Sequence, residues 1–342
     1  MRRAARVPCL RAPVTSTLGP TFRMSRPPPL TEIQKQRLSA LEPALKEDVY
    51  AADYARAKQF AADIQSVLRA TGHETRLMQS KNWLFEAALN AGELLTAEAG
   101  FRGVRAKTVR STRVHLEATA LLAVCLLRQR RFADVEPLIE EVLSSKSIKD
   151  PEKRRHFIES VTSRFRLESY ISGIRDHAHE TLDPDAIDRD AIEAVKTRSD
   201  EELYLQIASS LPREVIELVY RVDRASRQRL TMVEVLYLPS PAAIERKVEQ
   251  GRSFFDSLKL VIWRSLCDPQ SEVYKAWYTN GVAHILSKKY YAIVVSSALV
   301  DLGFAAKAAA VPVTALLMKI GIEVYCERHK PGEVLDGRSR GA

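Results

Sequence analysis

The stretch LLAVCLLRQRRFADVEPLIEEVLS, residues 121–144, decides which fold this chain adopts. Apolar residues recur at helical spacing on both sides of a short basic segment, RQRR, and this periodicity is typical of amphipathic helices. Two arrangements fit the pattern: one bent helix, or two helices joined by a turn at the basic residues. The choice between them depends on whether the same unit occurs elsewhere in the chain.

The apolar positions that follow the basic segment recur twice upstream, at shifts of 38 and then 40 residues. Within each set the spacing places all four residues on one face of a helix. The three sets are Tyr54, Ala57, Ala61 and Ile64; Leu94, Ala97, Phe101 and Val104; and Phe132, Val135, Ile139 and Val142. Another amphipathic segment precedes each set. The sequence therefore predicts a helix–turn–helix unit that is used three times.

This unit resembles the tetratricopeptide (TPR) repeat, a pair of antiparallel helices of about 34 residues. The best match is NWLFEAALNAGELLTAEAGF, residues 82–101, with Gly92 in the turn, Ala97 at the small position of the second helix and Phe101 one turn later. The units here are longer than the family's, and in the third unit Arg130 and Val135 replace the turn glycine and the small residue. The resemblance implies that helix pairs stack over about residues 30–147.

In such a stack the first helices of the pairs line a surface that binds a peptide or a partner helix, because a helix pair buries its apolar face only against its neighbours. The resemblance therefore implies a partner-binding surface built from the first helices of the second and third units and the residues that lead into them. Its candidates are Arg76, Gln79, Asn82, Arg110, Arg113 and His115. The alternative is that these residues are ordinary solvated helix positions.

The composition favours an all-α fold. Of the 342 residues 46% are hydrophobic, 28% are charged and only 13 are glycine, and the abundant Ala, Leu, Glu and Arg are good helix formers. We expect a TPR-like domain over 30–181, an acidic linker over 182–200 and a second helical domain over 201–330. A basic arm, 1–29, and a disordered tail, 331–342, flank them.

The N-terminal arm supplies six of the nine net positive charges, since residues 1–28 contain six arginines and no acidic residue. An arginine-rich, acid-free segment is typical of a mitochondrial presequence, which the first 23 residues would form. The alternative is that translation starts at Met24 and that the protein is cytoplasmic. Prolines at 8, 13 and 20 favour this alternative, because they interrupt the amphipathic helix of a presequence.

The four cysteines, Cys9, Cys125, Cys267 and Cys326, are far apart in sequence and lack metal-ligand spacing. We therefore expect reduced thiols, no disulfide framework, no metal and no cofactor. The pair His177 and His179 beside Glu180 is a weak metal candidate, because residues two apart on a helix point in different directions.

The middle of the chain has an uneven charge distribution. Residues 101–166 carry a net charge of +7, and residues 167–204 carry −7. A basic face could bind nucleic acid or an acidic partner. Its candidate contacts are Arg128, Arg130, Arg131, Lys153, Arg154 and Arg155. The alternative is two solvated faces that attract each other within the fold.

The C-terminal third contains a long apolar run, residues 290–326. Asp301 and Lys307 interrupt it, so its uncharged windows are shorter than the about 20 residues of a membrane span. Two interpretations remain: a buried helical hairpin, or a hairpin that inserts into a membrane, as in a bacterial toxin or defence effector. Upstream of this run, residues 241–267 and 271–286 each predict an amphipathic helix.

No nucleotide-binding, serine-hydrolase or kinase signature occurs in the sequence, so no catalytic residue can be assigned. The expected function is a non-enzymatic adaptor or scaffold that binds a protein partner. The alternatives are a membrane-acting protein that uses 290–326, and an enzyme or nucleic-acid-binding protein that uses the basic region 101–166.

Overall fold

The computed structural model of this protein describes residues 27–174, 181–238, 246–268, 271, 274–275, 278–279, 282–283, 289–301 and 306–328. Most of the predicted basic arm, the C-terminal tail and the segment His177–Glu180 lie outside these residues.

The fold of the described residues is built from fifteen helices, with one short pair of strands in addition. The helices of the first half are α1 (Glu32–Ala51), α2 (Tyr54–Leu68), α3 (Glu74–Asn90), α4 (Leu94–Lys107), α5 (Arg113–Arg128), α6 (Phe132–Ser144) and α7 (Pro151–Ile174). Those of the second half are α8 (Pro184–Thr197), α9 (Asp200–Ser210), α10 (Arg213–Arg227), α11 (Met232–Leu236), α12 (Lys247–Leu266), α13 (Lys289–Asp301), α14 (Lys307–Ile320) and α15 (Ile322–Arg328). The strands are β1 (Tyr278–Thr279) and β2 (Val282–Ala283).

The opening stretch forms two helices, α5 and α6, and the same turn joins α1 to α2 and α3 to α4. One residue in each turn is left-handed: Ala52 with φ 54°, Gly92 with φ 85° and Arg130 with φ 61°. In each turn the next backbone N–H donates to the carbonyl five residues earlier. These bonds are Asp53 to Asp48 at 3.0 Å, Glu93 to Ala88 at 2.9 Å and Arg131 to Leu126 at 3.0 Å. Such bonds cap the free carbonyls at the end of a helix.

The first helices of the three pairs pack side by side, α1 on α3 and α3 on α5, and α7 continues this row against α5. We call α1, α3, α5 and α7 the first-helix row. Each second helix packs against its own first helix and, for α2 and α4, against the first helix of the next pair. The central helix α5 is buried along most of its length.

The apolar core consists of clusters that follow one another along the chain. One cluster joins α1 to α3, a second joins α3 to α7 and also takes in α10, and a third extends from the end of α7 to α15. The 24-residue helix α7 contributes to the last two clusters. The sequence Asp150-Pro151-Glu152 predicts a helix start, with Asp as the N-cap and Pro at the first position. In the structure α7 begins at Pro151, and the Asp150 side chain accepts the N–H of Lys153 at 2.8 Å.

The segment 182–200, which the sequence predicts as a linker, contains α8. Its Ile187, Ala191 and Ala194 are buried in the third cluster, where α8 packs against α13 and α14. The polar face of α8 pairs with the same region, because Asp190 lies 2.8 Å from the ammonium group of Lys307. The acidic segment is thus part of the C-terminal half of the fold.

Two expectations for the C-terminal third are wrong. Residues 271–286 do not form one helix, because Tyr278 pairs with Ala283 and Thr279 with Val282 in an antiparallel register. The intervening dipeptide Asn280-Gly281 is a strong two-residue hairpin signal. The cysteines are not all reduced either, since a disulfide joins Cys267 to Cys326.

Candidate functional site

The predicted partner-binding residues lie on and beside the first-helix row, which is therefore the candidate functional site. Arg76 on α3 donates two hydrogen bonds to Glu42 on α1, at 2.7 and 3.0 Å. Asn82 is buried and donates to the carbonyl of Val114 on α5 at 3.0 Å. These two side chains connect neighbouring helices of the row. Their hydrogen bonds within the fold leave them fewer donors for a partner.

Two buried polar atoms of the candidate residues on α3 have no hydrogen-bond partner among the described residues. They are the amide nitrogen of Gln79 and the amide oxygen of Asn82. A buried polar group without a partner costs free energy, so both atoms destabilise this part of α3. Gln79 itself is half-buried, but its amide nitrogen is buried like the amide oxygen of Asn82, so neither atom is exposed to a partner in this structure.

The candidates on α5 and in the loop before it differ in accessibility. Arg113 pairs with buried Glu117 at 3.0 Å. His115 is buried, and its ring contacts Glu141 at 3.0 Å and Thr108 at 3.2 Å, so it connects α5 to α6. Arg110 is exposed and makes no ion pair within the described part of the chain. Of the six candidates, Arg110 is the one whose charge is fully available to a partner.

A buried ion cluster lies where α3, α5 and α7 meet. The guanidinium group of Arg128 donates to both oxygens of Glu168, at 2.9 and 2.8 Å, and to the carbonyl of Leu89 at 2.6 Å. Arg164 donates to the same Glu168 at 2.8 Å. Burial alone would raise the pKa of Glu168, but the two arginines outweigh it and hold that pKa below its ordinary value.

The predicted basic patch is therefore not one surface. Arg128 belongs to the buried cluster, whereas Arg131 pairs with Glu98 at 2.8 Å and Asp134 at 2.6 Å. Arg130 is exposed in the α5–α6 turn. The other three, Lys153, Arg154 and Arg155, lie on the first turns of α7. Most of these arginines already have acidic partners in the fold.

Arg154 and Arg155 mainly position α11. Arg154 pairs with Glu234 at 2.5 Å and also donates to the carbonyls of Leu143 and Ser145. Arg155 lies over the ring of Tyr237, 5.2 Å from its centroid, and pairs with Glu152 at 3.2 Å. Lys153 is exposed and has no ion pair among the described residues.

Most apolar side chains in the described part of 290–326 lie in the core. Residues 309–317 of α14 are all buried, and α8, α9 and α13 pack around this helix. Within the described ranges no single helix is long and apolar enough to cross a membrane. One pair, α14 with α15, meets that length and composition only when joined across a bend of 90°.

The remaining chemistry of the described residues offers no obvious reactive centre. Cys125 is buried, and burial raises the pKa of its thiol, which makes it a poor nucleophile. In the described ranges no three His, Cys, Asp or Glu side chains are grouped closely enough to hold a metal ion.

Sequence reasoning missed two features, the disulfide and an exposed apolar group on α11. No local signal points to the disulfide, because its two cysteines are 59 residues apart. The α11 group could have been found from the segment TMVEVLY, residues 231–237, in which apolar residues cluster beside Arg229. Comparisons with protein-family models, with curated proteins and with solved structures found no match for this chain.

Proposed function

We propose that this protein is a TPR-like helical scaffold that binds a protein partner on its first-helix row. The observation that carries the proposal is the repetition of one turn: its left-handed residues, Ala52, Gly92 and Arg130, are spaced by the same 40 and 38 residues as the apolar sets of the sequence. Three pairs built on one plan form a stack, and stacks of helix pairs commonly provide binding surfaces.

The groups available to a partner favour one part of this row. Arg110 is exposed and makes no ion pair within the described residues, and the Gln79 side chain is half-buried. Arg76 and Arg113 are only half-buried, although each already has a glutamate partner. A partner segment with a carboxylate for Arg110 fits this surface, because it supplies an acceptor to that charged donor.

The test is quantitative cross-linking and affinity capture of the full chain from cells that contain it. The variant Gln79→Ala with Arg110→Glu is compared with the control Lys58→Glu, which changes an exposed charge on the second helix α2. We expect a specific protein to be retained by the wild type and the control and to be depleted about tenfold or more by the double variant, since charge reversal replaces attraction with repulsion.

Once the captured protein is identified, its dissociation constant for the wild type and for both variants is measured directly. Equal retention by all three proteins, or a chain that remains alone in every preparation, would contradict the proposal. Circular dichroism and thermal unfolding of both variants show whether the fold is intact, so a folding defect is not read as lost binding.

A further inference from the structure

Helix α11 exposes an unusual concentration of apolar surface. Met232 is 82% exposed, Leu236 79% and Val233 59%, and Tyr237, which ends the helix, is 47% exposed. We call these four residues the α11 patch. At about 100° per residue they cover an arc of about 140°, so they form one contiguous face. No residue of this helix is buried.

The rest of the fold holds this face outward. Thr231 and Glu234 form a capping box at the start of α11, and Glu234 is tied to Arg154 of α7 at 2.5 Å. Leu230 and Leu238, on either side of the helix, pack against the core of α3 to α7. The α11 patch is therefore a fixed, convex feature and not a frayed end.

Lysines lie in the segments that Arg154 links to α11. Arg154 donates to the carbonyls of Leu143 and Ser145 as well as to Glu234, so it brings α11 next to the loop 145–150 and the first turn of α7. These segments carry exposed lysines that make no ion pair within the described residues. They are Lys146, Lys149 and Lys153.

The acidic side chains of the same region form no ion pair with these lysines among the described residues. Glu152 pairs with Arg155 at 3.2 Å and Glu234 pairs with Arg154. Asp150 accepts the backbone N–H of Lys153 at 2.8 Å, which holds it at the start of α7. The lysine charges are thus available to an anionic surface next to the apolar face.

We propose that the α11 patch and these three lysines dock on an anionic lipid surface. A short convex apolar face enters the headgroup region only partly, and lysines at its rim then meet lipid phosphate and carboxylate groups. A tyrosine at the edge of such a face suits the interface between water and lipid. This site shares no residue with the proposed partner surface on α3 and α5 or with residues 290–326.

The test is cosedimentation of the full chain with vesicles of phosphatidylcholine alone and of phosphatidylcholine with phosphatidylserine. We expect the chain to bind only the anionic vesicles. Binding should weaken as salt is added, because salt screens the attraction between the lysines and the anionic lipids. Met232→Ser with Leu236→Ser removes the most exposed apolar side chains. Lys146→Gln, Lys149→Gln and Lys153→Gln together remove the charges. Each set is expected to weaken binding about tenfold or more.

The matched control is Ile33→Ser with Leu95→Ser, because these apolar residues are 72% and 78% exposed on other helices. It should bind anionic vesicles like the wild type. Absence of binding to anionic vesicles, or binding that the α11 variants leave unchanged, would overturn the proposal. Capture of a protein through the α11 patch without any vesicle binding would overturn it as well, and would assign the patch to a protein partner.

Discussion

Gly92 lies in the α3–α4 turn with φ 85°, and a Cβ added there would meet no atom within 4 Å. Its requirement for glycine is therefore conformational and not steric. The equivalent residues Ala52 and Arg130 adopt the same left-handed backbone with side chains, at a cost of about 1 kcal/mol or more each. The turn is retained without glycine because the tertiary packing of each helix pair outweighs that local cost.

Gly92→Ala should therefore lower the free energy of unfolding by about 1 kcal/mol, through the left-handed backbone alone. Gly103 is the matched control, since it lies within α4 and a Cβ there also meets no atom within 4 Å. Gly103→Ala should raise the free energy of unfolding by about 0.5–1 kcal/mol. Urea unfolding measures both, and a stabilising effect of Gly92→Ala would contradict the turn geometry.

Glu168 stabilises the junction of α3, α5 and α7 only while it is ionised. Glu168→Gln leaves Arg128 and Arg164 without their carboxylate, so at neutral pH it should cost about 3–5 kcal/mol of unfolding free energy. Because the pKa of folded Glu168 lies below its ordinary value, the stability that ionisation contributes is complete above the unfolded pKa of about 4.3 and is lost as the pH falls through the folded pKa.

The difference in stability between wild type and Glu168→Gln should therefore shrink as the pH is lowered below about 4. Denaturant unfolding at a series of pH values measures this difference. Glu152→Gln is the control, because Glu152 is an exposed partner in an ion pair with Arg155. A difference for Glu168→Gln that stays constant from neutral to acid pH would show that the carboxylate is not the stabilising group.

At the scale of elements, α9 and α12 pack backbone to backbone at Gly251. A Cβ at Gly251 would lie 1.8 Å from the carbonyl oxygen of Tyr204. A backbone atom cannot move aside as a flexible side chain can, so only glycine permits this packing. Tyr204 and Phe255 make an edge-to-face ring contact at 6.1 Å close to the same crossing.

Gly251→Ala should separate these helices and lower the free energy of unfolding by about 1–3 kcal/mol or more. Thermal unfolding followed by circular dichroism measures the loss. The same substitution at Gly103 adds a methyl group that no atom approaches within 4 Å. It therefore measures the effect of helix propensity alone and is the control. A Gly251→Ala protein as stable as the wild type would mean that α9 and α12 do not pack this closely.

At the scale of the whole molecule, α15 closes the C-terminal half on α12. The disulfide between Cys267 and Cys326 joins the two helices. Trp263 donates to the carbonyl of Cys326 at 2.9 Å, and the Tyr325 hydroxyl donates to the carbonyl of Lys259 at 2.9 Å. Covalent and hydrogen-bonded links therefore act on the same contact.

Cys267→Ser with Cys326→Ser should lower the free energy of unfolding by about 2–4 kcal/mol, because the cross-link restricts a long loop in the unfolded chain. A reducing agent should destabilise the wild type to a similar extent and leave the double variant unchanged. Cys125→Ser is the control for thiol loss outside the cross-link. Peptide mapping without reduction identifies the bond, and separate Cys267 and Cys326 peptides would contradict it.

Periodicity in the sequence was sufficient to predict the all-α fold, the division of 121–144 into two helices and the spacing of the matching turns. It also predicted α7 from its Asp-Pro-Glu start and placed several polar candidates on the first-helix row. These features depend on neighbours within a few turns of the chain, where helical spacing and capping residues have direct physical consequences. Whether the row binds a partner stays a prediction.

Only the tertiary structure decided which polar side chains are free. Arg128 and Arg110 are both arginines near the ends of amphipathic segments, but Arg128 meets Glu168, 40 residues away, and Arg110 does not meet an acid within the described part of the chain. The same holds for α14, whose residues 309–317 are buried where α8 and α9 pack on this helix. Composition sets what a segment can bury, whereas long-range packing determines which neighbours it has, because residues far apart in sequence come together only in the folded chain.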